Sequence, residues 1–230
     1  MNHATKARYR ATVHYDGSGF SGWQVQPEER TVQGELEARL RRLGIDERVN
    51  AAGRTDAGVH ATGQEIGIIS PRTWESAELR RALNSTLPAD IWIEVVEEAD
   101  PDLHRRFQAT GRRSESSLAP GLAGRSPHRR RGAWNVESRP DDSALREAAR
   151  RILGEGDFAR LSKAGQPELG TRCVIEKAQW TATRLGDCRL TLVADRFLHR
   201  MVRYLVATMV EIATDRRHPD DLIGLLRGDD

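Results

Sequence analysis

The stretch from Ala51 to Ala61, AAGRTDAGVHA, sets Arg54, Asp56 and His60 within seven residues, among alanines and glycines. An aspartate followed by a small residue and a glycine favours a tight turn, with the carboxylate projecting from stiff backbone. Arg54 stands two residues before Asp56. A guanidinium there can pair with the carboxylate, lower its pKa and keep it ionised. An ionised carboxylate so presented can act as a nucleophile or a general base. A surface turn with an ordinary arginine–aspartate pair is the plainer alternative, and GRTD alone does not decide between them.

The elements that must position this turn follow from periodicity. Residues 9–15 alternate, with Tyr9, Ala11, Val13 and Tyr15 on one face, which predicts a half-buried strand. A glycine-rich connection, DGSGFSG, comes next. Thr31 opens a helix whose stripe is Val32, Leu36, Leu40 and Leu43, and Gly44 stands where such a helix ends. Residues 65–70 and 91–98 read as strands, with a helix between them from Ser76. The second half predicts a helix from about Asp142, strands at 173–183 and 188–194, a long helix from about Phe197 to Ala213, and a last one near Pro219. On that helix Arg196, Arg200 and Arg203 would recur at i, i+4 and i+7 on one face. The class is therefore α+β, in two similar halves of 1–107 and 108–230, with the boundary near 105–110.

With 230 residues and 30% charged side chains, the chain has enough length to bury a core. No apolar run reaches the roughly 18 residues of a membrane span. MNHATKARYR lacks an apolar signal core, so no export is expected. Cys173 and Cys188 offer neither metal spacing nor a disulfide framework, which predicts reduced thiols in a cytoplasmic protein. A net charge of +2 does not announce a nucleic-acid binder, but its distribution is uneven. Between His104 and Arg131 lie eight arginines against the single carboxylate Glu115, a local +7. Such a run is either a solvated loop or a phosphate-binding one. Residues 114–133, SESSLAPGLAGRSPHRRRGA, contain no β-branched residue, and an irregular insert is expected there. A shifted reading frame would explain so abrupt a change of composition.

Seven segments in order carry a family likeness: YDGSGFSGWQ (15–24), TVQGELE (31–37), GRTDAGVHA (53–61), LNSTLPADIWI (83–93), HRRFQAT (104–110), ILGEGDF (152–158) and DRFLHRMVRYLVATMVEI (195–212). Together the sequence resembles the tRNA pseudouridine synthase A family. The resemblance implies the pseudouridine synthase fold, two mixed or antiparallel sheets with helices on one side, and a central RNA-binding cleft. It implies isomerisation of uridine to pseudouridine in the anticodon arm of tRNA, by breaking the N1 glycosidic bond and reattaching the base through C5. No metal and no organic cofactor are implied. The catalytic aspartate maps onto Asp56, and the arginine of the MVR helix, its partner in the family, onto Arg203. Arg54 maps onto an arginine that helps seat the flipped nucleotide, Arg106 onto the HARF arginine, which contacts the RNA backbone or supports the active-site loop, Gln24 onto the family's GWQ as a candidate RNA contact, and His60 onto a loop-holding histidine. The family builds its tRNA cleft across two subunits, which implies a homodimer.

The resemblance breaks in two places. Where the family has a tyrosine after its HARFSAT-like element, this chain has Ser114, which can hydrogen-bond but cannot stack on a base. Stacking is worth about 1–3 kcal/mol per base. The chain also ends at RGDD, short of the family's closing strand. These departures keep a second expectation open, a family member that binds tRNA but turns over poorly. A small-molecule enzyme using Asp56 would need a cofactor motif, and there is no P-loop, GxGxxG or metal constellation.

Overall fold

The computed structural model describes residues 6–100, 111–163 and 170–227. The chain divides into two compact units, Met1–Ala109 and Thr110–Asp230. In the first, β1 (Ala7–Tyr15), β2 (Asn50–Ala51), β3 (Ala61–Ser70) and β4 (Ile91–Glu98) form an antiparallel sheet in the order β2-β3-β1-β4. Tyr9, Ala11, Val13 and Tyr15 all point into one core with Leu36 and Leu40 of α1 (Val32–Arg42) and Leu79 and Leu83 of α2 (Ser76–Asn84). The other face of the sheet carries Arg10, Thr12, His14, Trp92 and Glu94, which is why β1 alternates so cleanly. Thr31 caps α1 by accepting the Gly34 N–H at 3.3 Å. Gly44, at φ 76°, ends the helix in the left-handed region.

The second unit holds a five-stranded mixed sheet in the order β6-β5-β9-β8-β7. Its strands are β5 (Arg112–Pro120), β6 (Trp134–Val136), β7 (Gly154–Asp157), β8 (Arg172–Ala182) and β9 (Cys188–Ala194). Leu190, Leu192 and Ala194 of β9 share a core with Leu145 and Ala148 of α4 (Asp142–Arg151) and with Met201, Leu205 and Met209 of α5 (Met201–Ile212). A one-turn α3 (Pro127–Arg130) precedes β6, and α6 (Asp221–Arg227) follows α5. Among the described residues no helix is long and apolar enough to cross a membrane.

Two expectations are corrected here. Residues 114–133 are not an irregular insert. Arg112–Leu118 pair residue by residue with Ala194–Cys188 of β9, Leu118–Pro120 pair with β6, which runs parallel to β5, and the remainder is the crossover between β5 and β6. A parallel neighbour cannot be reached by a tight hairpin and needs a connection of about a dozen residues. The strand forms from serines and arginines because β9 supplies its ladder, a tertiary effect that outweighs weak β-propensity.

Nor does the long helix begin at Phe197. Arg200 adopts φ 61°, and α5 starts at Met201. Residues 195–200 form a turn instead, with Met201 N–H donating to the Leu198 carbonyl at 3.0 Å. Arg196 lies outside the helix and donates to the Arg172 carbonyl at 2.6 Å. The expected i, i+4, i+7 arginine face therefore does not exist.

Candidate active site

The Asp56 turn is held by the connection between β1 and α1. That connection is itself fixed at its far end. Arg30 donates two hydrogen bonds to Asp90, at 2.7 and 3.0 Å, and one to Glu35 at 3.0 Å. Its guanidinium also lies 4.1 Å from the centre of the Phe20 ring. Planar, bidentate pairing of this kind suits arginine and fixes orientation as well as charge.

From this brace, backbone runs directly against backbone. The Trp23 N–H donates to the Thr55 carbonyl at 3.0 Å, and the Gly58 N–H donates to the Phe20 carbonyl at 3.2 Å. The Val59 N–H closes the turn onto the Asp56 carbonyl at 3.1 Å. On the opposite side, Gln64 donates to the Gly53 carbonyl at 3.1 Å and the Ala52 N–H to the Glu65 carbonyl at 3.0 Å. So close an approach explains two glycines. A Cβ on Gly17 would stand 2.0 Å from the Val59 carbonyl oxygen. Gly22, at φ 100°, would set a Cβ 2.9 Å from the Thr55 oxygen and 3.3 Å from the Asp56 carbonyl carbon.

Asp56 is half-buried on this turn, and Arg54 is exposed. His60 Nδ1 lies 3.3 Å from the Gly17 N–H and 3.1 Å from an Asp16 carboxylate oxygen, so it ties the two loops together. Trp23 is a core residue, 2% exposed and tilted against Tyr15 with ring centres 6.1 Å apart. Gln24 beside it is exposed.

Tyr15 belongs to this apparatus although its sequence position signalled only core. Its hydroxyl lies 2.8 Å from the Thr55 hydroxyl, one residue from Asp56. Burial pushes the phenol up to about 12, and the Thr55 hydrogen bond opposes this only in part. The phenol therefore stays protonated at neutral pH and can serve as a hydrogen-bond donor in the clamp. Position 15 ends the alternating face of β1, and its adjacency to the GRTD turn could be seen only in three dimensions.

In the second unit, Arg203 is exposed in the first turn of α5, while Met201 and Leu205 on either side of it in sequence are buried. The core grip on Met201, Leu205 and Met209 fixes the direction in which Arg203 leaves the helix. Ser114 is half-buried on β5 opposite Leu192, on the core-bearing face of the sheet. Arg106 lies outside the described residues.

One of the two α+β units thus presents the Asp56 carboxylate on a turn clamped by backbone. A family model described as tRNA pseudouridine synthase matches residues 11–108 and 148–230. Among similar proteins, the tRNA pseudouridine synthase A of Geobacillus kaustophilus (strain HTA426) is 38% identical over 228 residues, 97% of this chain and 86% of that protein. That of Xanthobacter autotrophicus (strain ATCC BAA-1158 / Py2) is 35% identical over 226 residues, 97% of this chain and 91% of its own. That of Paramagnetospirillum magneticum (strain ATCC 700264 / AMB-1) is 37% identical over 229 residues, 97% and 87%. The chain belongs to the tRNA pseudouridine synthase family, isomerases that convert uridine to pseudouridine. The family model passes over residues 109–147, which hold β5, the crossover and β6.

Proposed function

We propose that this protein isomerises uridine in the anticodon arm of tRNA, working as a cytoplasmic homodimer with Asp56 and Arg203 as its catalytic groups. The observation that carries the reading is the clamp on the Asp56 turn: Trp23, Phe20, Tyr15, Gly17 and Gly22 hold its backbone in one place, within a chain whose family makes pseudouridine. A uridine in a stem must leave the stack before its glycosidic bond can be reached. The carboxylate then either attacks C1′ or removes the 2′ proton. Both routes break N1–C1′, turn the base, form C5–C1′ and release the C5 proton to solvent. Either route depends on pre-organisation, because about 1 Å of misplacement can cost about 100-fold in rate. Arg54, Arg106, Gln24 and Ser114 contact the RNA in this reading, with Ser114 offering a hydrogen bond where a ring would stack. Exposure of Arg54 and Gln24 is consistent with that role.

The test uses tRNA labelled with tritium at uridine C5, since each turnover frees that hydrogen. The parent should release label from anticodon-arm uridines, and Asp56→Asn should release none while still binding tRNA. Release by Asp56→Asn at the parent rate would refute the assignment. Light scattering should give twice the 25.8 kDa chain mass, and a monomer would refute the dimer.

A further inference from the structure

The arginines of the β5–β6 crossover, residues 121–133, take no part in the chemistry proposed above, yet the crossover is built rather than loose. Gly121, at φ 69°, turns the chain out of β5, and its N–H donates to the Val136 carbonyl at 2.9 Å. Asn135 donates to the carbonyls of Ala119 and Gly121, both at 2.9 Å, stitching the two ends of the crossover together. Gly124 is buried so tightly that a Cβ would lie 2.2 Å from the Ala119 oxygen and 2.2 Å from Asn135 Nδ2. The Gly132 and Ala133 N–H groups close back onto the Arg129 carbonyl at 3.1 and 3.0 Å.

Within this frame the arginines divide by role. Arg129 is the anchor: its guanidinium pairs with Asp187, a buried carboxylate in the turn between β8 and β9. Arg125 and Arg130 are exposed, and among the described residues neither has an ion-pair partner. Arg184, in the turn to which Arg129 is tied, is exposed as well. Residues 121–133 contain four arginines and no carboxylate. Trp134, the first residue of β6, stands beside them with 49% of its surface exposed.

A solvated charge run needs no such scaffold. Guanidinium groups on a fixed frame lose less freedom on meeting an anion, and they are spared competition from carboxylates. We propose that the β5–β6 crossover is an RNA grip: Arg125 and Arg130 meet the phosphodiester backbone, and Trp134 offers a flat face to an unpaired base or ribose. The proposal rests on the tRNA reading above and adds a second contact region to it, one that the family model does not cover.

The test is tRNA binding as a function of salt, for the parent and for Arg125→Ala/Arg130→Ala. Each phosphate neutralised contributes about 0.7–0.9 to the slope of log K against log salt. Loss of two contacts should flatten the slope by about 1.4–1.8 and weaken binding at least tenfold at low salt. Turnover at saturating tRNA should be unchanged, and Asp56→Asn should keep the parent slope. Trp134→Phe should lose the part of the tRNA-induced tryptophan quenching that the parent shows. An unchanged slope and affinity in the double variant, with a parent that binds and turns over tRNA, overturns the grip alone. A change of oligomeric state in place of the slope change also overturns it, because the patch would then face a second subunit. A parent that neither binds nor modifies tRNA overturns the underlying reading along with it.

Discussion

Gly22→Ala perturbs the Asp56 turn without touching a group that could react. Two costs can be separated. The left-handed backbone at φ 100° costs an L-residue about 1–2 kcal/mol. The new methyl then meets the Thr55 oxygen at 2.9 Å, the Ala57 nitrogen at 3.2 Å and the Asp56 carbonyl carbon at 3.3 Å. All three are backbone atoms of the turn, so the turn must move by some tenths of an ångström. Gly44→Ala is the matched control, since it has φ 76° and nothing within 4 Å of its Cβ. Both variants should lose about 1–2 kcal/mol in urea unfolding, Gly22→Ala slightly more. Only Gly22→Ala should lose activity. Where displacement on the ångström scale costs about 100-fold, a shift of tenths predicts a fall in kcat of about tenfold, with KM changed less. Tritium release under saturating tRNA, corrected for the folded fraction, measures it. Equal kcat in Gly22→Ala, Gly44→Ala and the parent would show that the clamp does not position Asp56, and the mechanism built on it would fail.

Tyr15→Phe removes the hydrogen bond to Thr55 and should cost about 1 kcal/mol of stability, read from urea midpoints. It should also change the alkaline limb. Below pH 10 folded and unfolded chains both keep the Tyr15 proton; between pH 10 and about 12 only the folded chain keeps it, so the parent's stability falls with pH there and levels off above. The Phe variant should lack that part of the decline, about 2–3 kcal/mol across the window, and identical pH profiles would contradict it. Arg129→Ala leaves Asp187 without its partner in a mostly buried site and should cost about 2–3 kcal/mol, whereas Arg130→Ala should cost almost nothing. Thermal melts compare the two, and equal losses would mean that the crossover has no anchor. Arg30→Lys keeps the charge but gives up the bidentate bond to Asp90, so it should lower kcat several-fold through the loop it braces, with little change in tRNA affinity.

Legibility in the sequence followed the source of the signal. The alternation of Tyr9, Ala11, Val13 and Tyr15, the Thr31 cap and the Leu36–Leu40 stripe come from contacts within or next to an element, so periodicity exposes them. The carboxylate of Asp56 was likewise visible, because Arg-Thr-Asp-Ala-Gly is turn chemistry written in consecutive residues. β5 was hidden because Ser114, Ser116 and Ser117 have no preference for a strand until β9 lends them a ladder. The false start of α5 has a different origin: Phe197 and Leu198 continue the apolar spacing of the helix, but they pack from a turn, and Arg200 breaks the backbone before Met201.

By itself, the order of residues determined the two α+β halves, the single acid on a glycine-flanked turn, and the family to which the chain belongs. Those properties rest on local preference and on motif identity, which survive without coordinates. Only the tertiary structure decided what holds Asp56 still, why Gly17 and Gly22 admit no side chain, and which arginines of the crossover are anchors and which face outward. Each of these is a contact between segments far apart in the chain, and a close approach of backbone to backbone leaves no periodic trace in either segment.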